Sequence, residues 1–253
     1  MQTIPKTKSE IRYMRESGHM LATVLQKLID TLEVGMTTKD IAVIANNELR
    51  ALGGEPAFLG YQGFPDVICI SLNNQIVHGI PTPNSVVKSG DIVSLDFGVT
   101  YGGMVTDAAR SVIAGKPLSI KHQDLLKYTE KSLYEAISIV KSGVRTGDIG
   151  FTVEQELNKH HYGIVRDLVG HGVGHQLHED PNIPNYGRKN TGPWLEKNMT
   201  IAIEPMSTLG TDRVVLAEDG WTVLTADNSW SAHFEHTILI NSDGSEILTD
   251  YKN

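Results

Sequence analysis

Apolar positions along the chain follow two periods. From about Ser9 to Leu32, the residues Ile11, Met14, Gly18, Leu21, Leu25, Leu28 and Leu32 are spaced alternately by three and four, the stripe of an amphipathic helix. From about Lys121 to Val140, Leu126, Leu133, Ile137 and Val140 predict a second one. Ser9 and Ser119 are the expected N-caps. A similar segment follows each helix. Gly35-Met36-Thr37-Thr38-Lys39-Asp40-Ile41 matches Gly143-Val144-Arg145-Thr146-Gly147-Asp148-Ile149 at an offset of 108, and Glu48-Leu49 falls on Glu156-Leu157 at the same offset. In each copy a glycine ends one helix, and Thr38 with Asp40, or Thr146 with Asp148, is placed to cap the next. A duplicated helix–turn–helix half is the reading.

Strand-like runs lie between and after the helices: Val67–Ser71, Ile92–Val99, Val105–Ala114, Thr200–Glu204, Arg213–Leu216 and Ala232–Ile240, many joined by Gly- or Pro-bearing turns. The order of helices, strands, helices, strands predicts an α+β fold with largely antiparallel sheet. No low-complexity linker divides the halves, so residues 1–253 read as one domain built of two similar parts.

Composition narrows the class. With 40% hydrophobic and 21% charged residues, 24 Gly and 10 Pro in 253 positions, the chain is neither disordered, collagen-like nor coiled coil. A net charge of −8 argues against a broad nucleic-acid footprint. Cys69 is the only cysteine, which excludes a disulfide framework, a thiolate zinc site and an iron–sulfur cluster. Lys6, Lys8, Glu10, Arg12, Arg15 and Glu16 leave no room for an apolar signal core, and no window approaches the ~20 apolar residues of a membrane span. A soluble cytoplasmic protein is expected.

Carboxylates occupy the strand-like runs, where charge is least expected. Asp96 ends Ile92-Val93-Ser94-Leu95, Asp107 lies in Val105-Thr106-Asp107-Ala108-Ala109, Glu204 closes Ile201-Ala202-Ile203, and Glu235 lies in His233-Phe234-Glu235-His236. Strand alternation sets Val93 and Leu95 opposite Asp96, and Ile201 and Ile203 opposite Glu204. Taken singly, each carboxylate reads as a salt bridge or a strand edge. Four together point to a shared cation, because a buried carboxylate must be paired or metal-bound. Gly170-His171-Gly172-Val173-Gly174-His175-Gln176-Leu177-His178-Glu179 carries three histidines among glycines that let backbone and ligand approach closely. His78-Gly79-Ile80-Pro81 sets another histidine before a rigid turn. An oxygen-rich set with one or two imidazoles suits Mn, Fe, Co or Zn, often in pairs. Asp96-Phe97-Gly98 lacks the other kinase motifs, and no G-x-S-x-G or H-E-x-x-H pattern occurs.

Four motifs in order give the chain a resemblance. They are Gly60-Tyr61-Gln62-Gly63-Phe64-Pro65, followed by Cys69, Ser71, Asn73 and His78-Gly79-Ile80-Pro81; Gly90-Asp91-Ile92-Val93 leading to Asp96, with Asp107 eleven positions on; Gly170-His171-Gly172-Val173-Gly174 with His178-Glu179-Asp180-Pro181; and Ile203-Glu204-Pro205-Met206 with Ser231-Ala232-His233-Phe234-Glu235-His236-Thr237. On these the chain resembles the type I methionine aminopeptidases over nearly its whole length. The resemblance implies a pita-bread fold of two pseudo-symmetric α/β halves. It also implies two divalent ions (Co, Mn, Fe or Zn), with Asp96 on one, His171 and Glu204 on the other, and Asp107 and Glu235 bridging. His78 and His178 match substrate-contacting histidines; Glu204, next to the nucleophile, is the best candidate to take and return its proton. Phe58, Tyr61, Phe64, Cys69, Leu177 and Trp221 match the wall of a methionine pocket; Asn73 and Ser231 match a monovalent-cation site.

The implied reaction is removal of the N-terminal methionine of nascent chains with a small second residue, by a metal-activated bridging hydroxide attacking the first carbonyl. A monomer is implied, with transient ribosome contact and neither nucleic-acid specificity nor membrane attachment. His175, Leu177 and His233 depart from the usual arginine, aromatic and glutamine. Related readings are a prolidase or Xaa-Pro aminopeptidase, disfavoured because Asp96 leaves no room for an additional N-terminal domain; a type II enzyme, disfavoured because only 26 positions separate His178 from Glu204; and a metal-free binding protein, disfavoured because all five ligands are present.

Overall fold

A computed structural model describes residues 4–250. The elements are α1 (Lys8–Thr31), α2 (Thr38–Leu52), β1 (Glu55–Pro56), β2 (Cys69–Leu72), β3 (Gln75–Val77), β4 (Ile92–Tyr101), β5 (Met104–Ile113), α3 (Ile120–Ser138) and α4 (Thr146–Asn158). After them come β6 (Gly163–Ile164), β7 (Gly170–Gly172), β8 (Glu179–Ile183), β9 (Thr200–Ile203), β10 (Met206–Thr208), β11 (Val214–Leu216), β12 (Val223–Thr225), β13 (Ser231–His233), β14 (His236–Ile240) and β15 (Ser245–Ile247). The strands form four sheets: β1-β4-β2 with β5 on β4, β13-β10-β6, β11-β12-β3, and β15-β14-β9-β7-β8. The strand pairs are antiparallel, as expected for the α+β class.

Both helix pairs form, α2 and α4 begin at the predicted offset of 108, and Ser119 caps α3 as expected by accepting the Lys121 N–H, but the other caps are shifted. Thr7, not Ser9, caps α1: its hydroxyl accepts from the Glu10 N–H, and Glu10 accepts back from the Thr7 N–H. At α2 the cap is Thr37, with Asp40 in the reciprocal role, and Thr38 is already helical. At α4 the cap position holds Arg145, which has no side-chain oxygen to accept, so Asp148 alone satisfies it by accepting the Arg145 N–H. In both copies the aspartate is the third helical residue, where a carboxylate reaches back to the cap N–H. In α3 the core residue is Leu125 rather than Leu126, and the buried face includes Thr129 and Ser132. Hydroxyls on that face hid it from an apolar count; Thr129 and Ser132 bond back to the Leu125 and Thr129 carbonyls.

Two apolar layers result. Leu21, Leu25 and Leu28 of α1 and Ile41, Ala45 and Leu49 of α2 pack on Val93, Leu95, Phe97 and Val99 of β4. Leu133 and Ile137 of α3 and Ile149, Val153 and Leu157 of α4 pack on Ile201, Ile203, Ile238 and Ile240 of β9 and β14. Each layer covers one sheet face, and the opposite faces meet at a seam. The run predicted as one strand, Ala232–Ile240, is broken at Phe234-Glu235, because β13 pairs with β10 and β14 with β9. The parallel break at Glu204-Pro205 divides β9 from β10; Pro205 has no N–H to continue a ladder. Glu204 and Glu235 therefore stand just outside strands, at the point where two neighbouring segments switch sheets together.

The segment before α1 is tied to the histidine loop. Lys6 is fully buried, its Nζ 2.9 Å from Glu179 Oε2 and 3.1 Å from the Ile4 carbonyl, while Glu179 Oε1 accepts the N–H groups of His175 and Gln176. Removing one partner of a buried pair leaves an uncompensated charge, a loss of about 3–5 kcal/mol. Lys6→Met is therefore expected to lower unfolding free energy by that order in denaturant titration. Lys6→Met combined with Glu179→Gln should recover part of it; no recovery would mean that the pair does not hold the loop.

Candidate metal centre and its cavity

The hairpin β4–β5 turns at Gly102-Gly103, both with positive φ (58° and 78°), the backbone a tight two-residue turn requires. That turn sets Asp96 opposite Ala109 and Asp107 opposite Gly98. The two aspartates are thus diagonal neighbours on one face, the face away from Val93, Leu95 and Phe97. Ala109 pairs on its other side with Glu235 through two backbone bonds, Ala109 N–H to Glu235 O (3.3 Å) and Glu235 N–H to Ala109 O (2.9 Å). Asp96 of β4, Ala109 of β5 and the bridged Glu235 form one row. On the far side, β14 pairs with β9 up to His236 and Ile203, so Glu204 stands one step past the last pair, beside Glu235. Gly172 of β7 pairs with Ile201 of β9, which brings His171 to the same face.

All five expected ligands line one cavity of about 140 Å³. One oxygen each of Asp107 and Glu235 and one ring nitrogen of His171 lie within 4.8 Å of one another, and His171 Nε2 is 3.5 Å from Glu204 Oε1. Asp96 Oδ1, Asp107 Oδ1 and Glu235 Oε1 are buried without a hydrogen-bond partner among the described residues. Burial raises all four carboxyls and mutual repulsion adds to it in three: Asp107 goes up to about 7, and Asp96, Glu204 and Glu235 well above their usual range. His171 is pushed down to about 3 by burial and then by His178, so its ring is neutral. Its Nδ1 is 2.9 Å from the Gly172 carbonyl, which fixes the proton there and leaves the Nε2 lone pair for a cation. Orphaned carboxylate oxygens beside a neutral, oriented imidazole fit a divalent cation.

Much of the rest of the cavity is apolar. Phe58, Phe64 and Trp221 meet edge to face, with Phe64 centred 6.5 Å from Phe58 and 5.2 Å from Trp221. Tyr61, Cys69 and Leu177 complete the wall, and burial raises the Cys69 thiol, so it stays protonated. His178 stands between the wall and the ligand set, its ring centred 4.2 Å from that of His171, and His78 lines the same cavity. Burial lowers both, His78 to about 4, so both rings are neutral. His78 has a positive φ (60°), and the backbone of Gly79 packs against the Ile70 carbonyl too closely for a side chain. Tyr61, read from the sequence as a wall residue, also shares a 2.8 Å hydrogen bond between its hydroxyl and His178 Nδ1. Gln62 joins the lining without having been singled out; it sits inside the Gly60–Pro65 motif.

Three departures separate. Leu177 lines the cavity; His175 faces outward, its Nε2 2.9 Å from Glu10 Oε1; His233 is buried behind Glu204 and Glu235. Asn73 and Ser231 meet, the Ser231 hydroxyl donating to the Asn73 and Gln75 carbonyls.

Comparison with known proteins identifies the family. The description of metallopeptidase family M24 matches residues 12–242. The methionine aminopeptidase of Clostridium acetobutylicum is 40% identical over 97% of this chain and 98% of its own. A crystal structure of methionine aminopeptidase from Thermotoga maritima is 43% identical, with a TM-score of 0.97 over 98% of this chain and all of that one. The prolidase of Pyrococcus furiosus, 22% identical with a TM-score of 0.79, covers 98% of this chain but only 66% of its own and shares the fold alone. The chain belongs to metallopeptidase family M24, on its methionine aminopeptidase branch.

Proposed function

We propose that residues 1–253 form one catalytic domain that removes a single N-terminal methionine from peptides and nascent proteins, favouring a small second residue. One observation carries the reading: a floor of four carboxylates and a neutral imidazole shares its cavity with an aromatic, sulfur-bearing wall. A thioether is unbranched and polarisable, and such a wall suits it. The cavity is comparable to the roughly 150 Å³ that holds a benzene molecule, room for one side chain and not for a peptide.

Asp96, Asp107, His171, Glu204 and Glu235 would hold two divalent ions; oxygen donors with one imidazole and no thiolate suit Mn, Co, Fe or Zn. When bound, such ions supply Lewis acidity and lower the pKa of water toward about 7. Glu204 is the carboxylate suited to take the proton from the attacking water and return it to the departing amine. His178 donates to the oxygen on which charge develops. For that it needs its proton on Nε2, and a Tyr61 hydroxyl that donates to Nδ1 enforces that tautomer. Neutral His78, on the same cavity wall, contacts the substrate backbone. The reading includes a monovalent cation near Asn73 and Ser231, a monomeric cytoplasmic enzyme and transient contact with the ribosome.

Release of methionine from Met-Ala-Ser-type and Met-Lys-type peptides tests the reading directly. Activity is expected on the first and little on the second, abolished by chelation and restored by Mn, Co or Fe. Full activity in a preparation shown metal-free by elemental analysis would overturn it.

Tyr61→Phe keeps the ring and removes the hydroxyl. It is expected to lower kcat about 10-fold or more with little change in first-residue selectivity. Trp221→Ala should do the reverse, raising KM and loosening selectivity. If Tyr61→Phe alters KM alone, Tyr61 is wall and nothing more.

A raised carboxyl stabilises the fold below its ordinary pKa and loses that contribution as pH rises through the folded value. For Asp107 that window runs from 3.8 to about 7. Metal-free Asp107→Asn, which cannot ionise, should therefore have a larger unfolding free energy than metal-free wild type at pH 8, by about a few kcal/mol in denaturant titration, and the gap should close as pH falls toward 4. Added Mn should reverse the ranking at pH 8 by stabilising the wild type only. A gap independent of pH would refute the origin assigned to it.

A further inference from the structure

The imidazole of His233 has no hydrogen-bond partner at either ring nitrogen among the described residues, and the residue is 1% exposed. Both nitrogens of a buried ring left unsatisfied call for an explanation, an ion being one. Its Nε2 stands 3.7 Å from Glu204 Oε2 and 3.9 Å from Glu235 Oε2. Neither distance is a hydrogen bond. Both suit donors around one cation: atoms each about 2.1 Å from an ion lie about 3.0 Å apart at a right angle and about 4.2 Å apart when opposite. The expected ligand His171 shows the same relation, its Nε2 3.5 Å from the other oxygen of the same carboxylate, Glu204 Oε1. Glu204 thus has one imidazole facing each oxygen.

The ring cannot easily turn away. Ser111 Oγ accepts the His233 N–H (2.9 Å) and donates to the His233 carbonyl (2.8 Å), and with its one proton so used it accepts from Ser94 (2.7 Å). These buried hydroxyls pin β13 on both sides of the side chain. We propose that His233 supplies a second imidazole to the cation site, binding through Nε2 beside Glu204 and Glu235. The proposal rests on the reading of the site as a divalent-metal centre and adds a ligand that the resemblance does not imply.

The test counts imidazoles in protein loaded with Co²⁺, where each coordinated ring gives one strongly shifted N–H resonance in the proton NMR spectrum. Wild type is expected to give two, from His171 and His233, and His233→Gln one. Co²⁺ affinity by calorimetry should fall in that variant by more than the roughly 10–100-fold that follows loss of an outer hydrogen-bonding partner. His78→Gln should keep both resonances. One resonance in wild type overturns the proposal, also where His233→Gln weakens binding, since His233 would then act through Glu204. The wild-type count stands on its own if the variant does not fold. A wild type that takes up no Co²⁺ overturns the metal-centre reading itself, which a count of one leaves intact.

Discussion

Four carboxylates brought out of water into one cavity are the constraint on which the rest of the structure turns. Ionised together, they repel across a medium that screens poorly. The nitrogen bases within ion-pair distance of them, among the described residues, are the imidazoles of His171 and His233. Burial holds both near 3, so neither contributes positive charge at neutral pH. Among the described residues no lysine or arginine is brought in, although the fold can bury a lysine, as Lys6 shows beside Glu179. The chain therefore withholds the countercharge from this cavity and supplies it where only structure is needed.

Holding such a cluster requires stiff backing. Asp96 and Asp107 project from one strand face while Val93, Leu95 and Phe97 lock the other against α1 and α2. Glu204 and Glu235 sit where two strands change sheets, with Ile201 and Ile203 anchored under α3 and α4. Packing of roughly crystal density behind each strand keeps the donors from drifting apart to relieve repulsion. The third apolar cluster, Ile11 and Met14 with Phe58, Phe64, Val173, Leu177 and Leu239, ties both halves together and doubles as the cavity wall.

Much of this was legible. Charges set into apolar alternating runs marked Asp96, Asp107, Glu204 and Glu235, and glycines flanking His171 marked a place for close approach. The repeat extended further than the helices: Glu204 lies 108 positions after Asp96, the same offset as the two helix pairs. The hidden parts have physical reasons. β3, β7, β10 and β13 have only three residues, too few for a period to register. The break at Phe234-Glu235 comes from a change of pairing partner, which a local pattern does not carry. The face of α3 hides its burial behind Thr129 and Ser132. The Tyr61–His178 bond and the placement of His233 behind Glu204 join residues 117 and 29 positions apart, and nothing near either residue announces them.

The duplication gives the cluster a further consequence. The first half contributes Asp96 and Asp107, and the second contributes His171, Glu204 and Glu235, so the cavity is a seam between halves and not a pocket within one. In metal-free protein the raised carboxyls hold their protons near neutral pH, and as pH rises through those values charge builds on both sides of that seam and opposes its closure. A cation bound there has donors from both halves only when they are docked, so it binds the folded chain and not the unfolded one. Binding of that kind adds stability by mass action, about 2.7 kcal/mol at a hundred times the dissociation constant. The arrangement that readies the site for chemistry is thus the one that makes the closed fold depend on its ion, and the apolar cluster at Met14, Val173 and Leu239 must hold the halves together until the ion arrives.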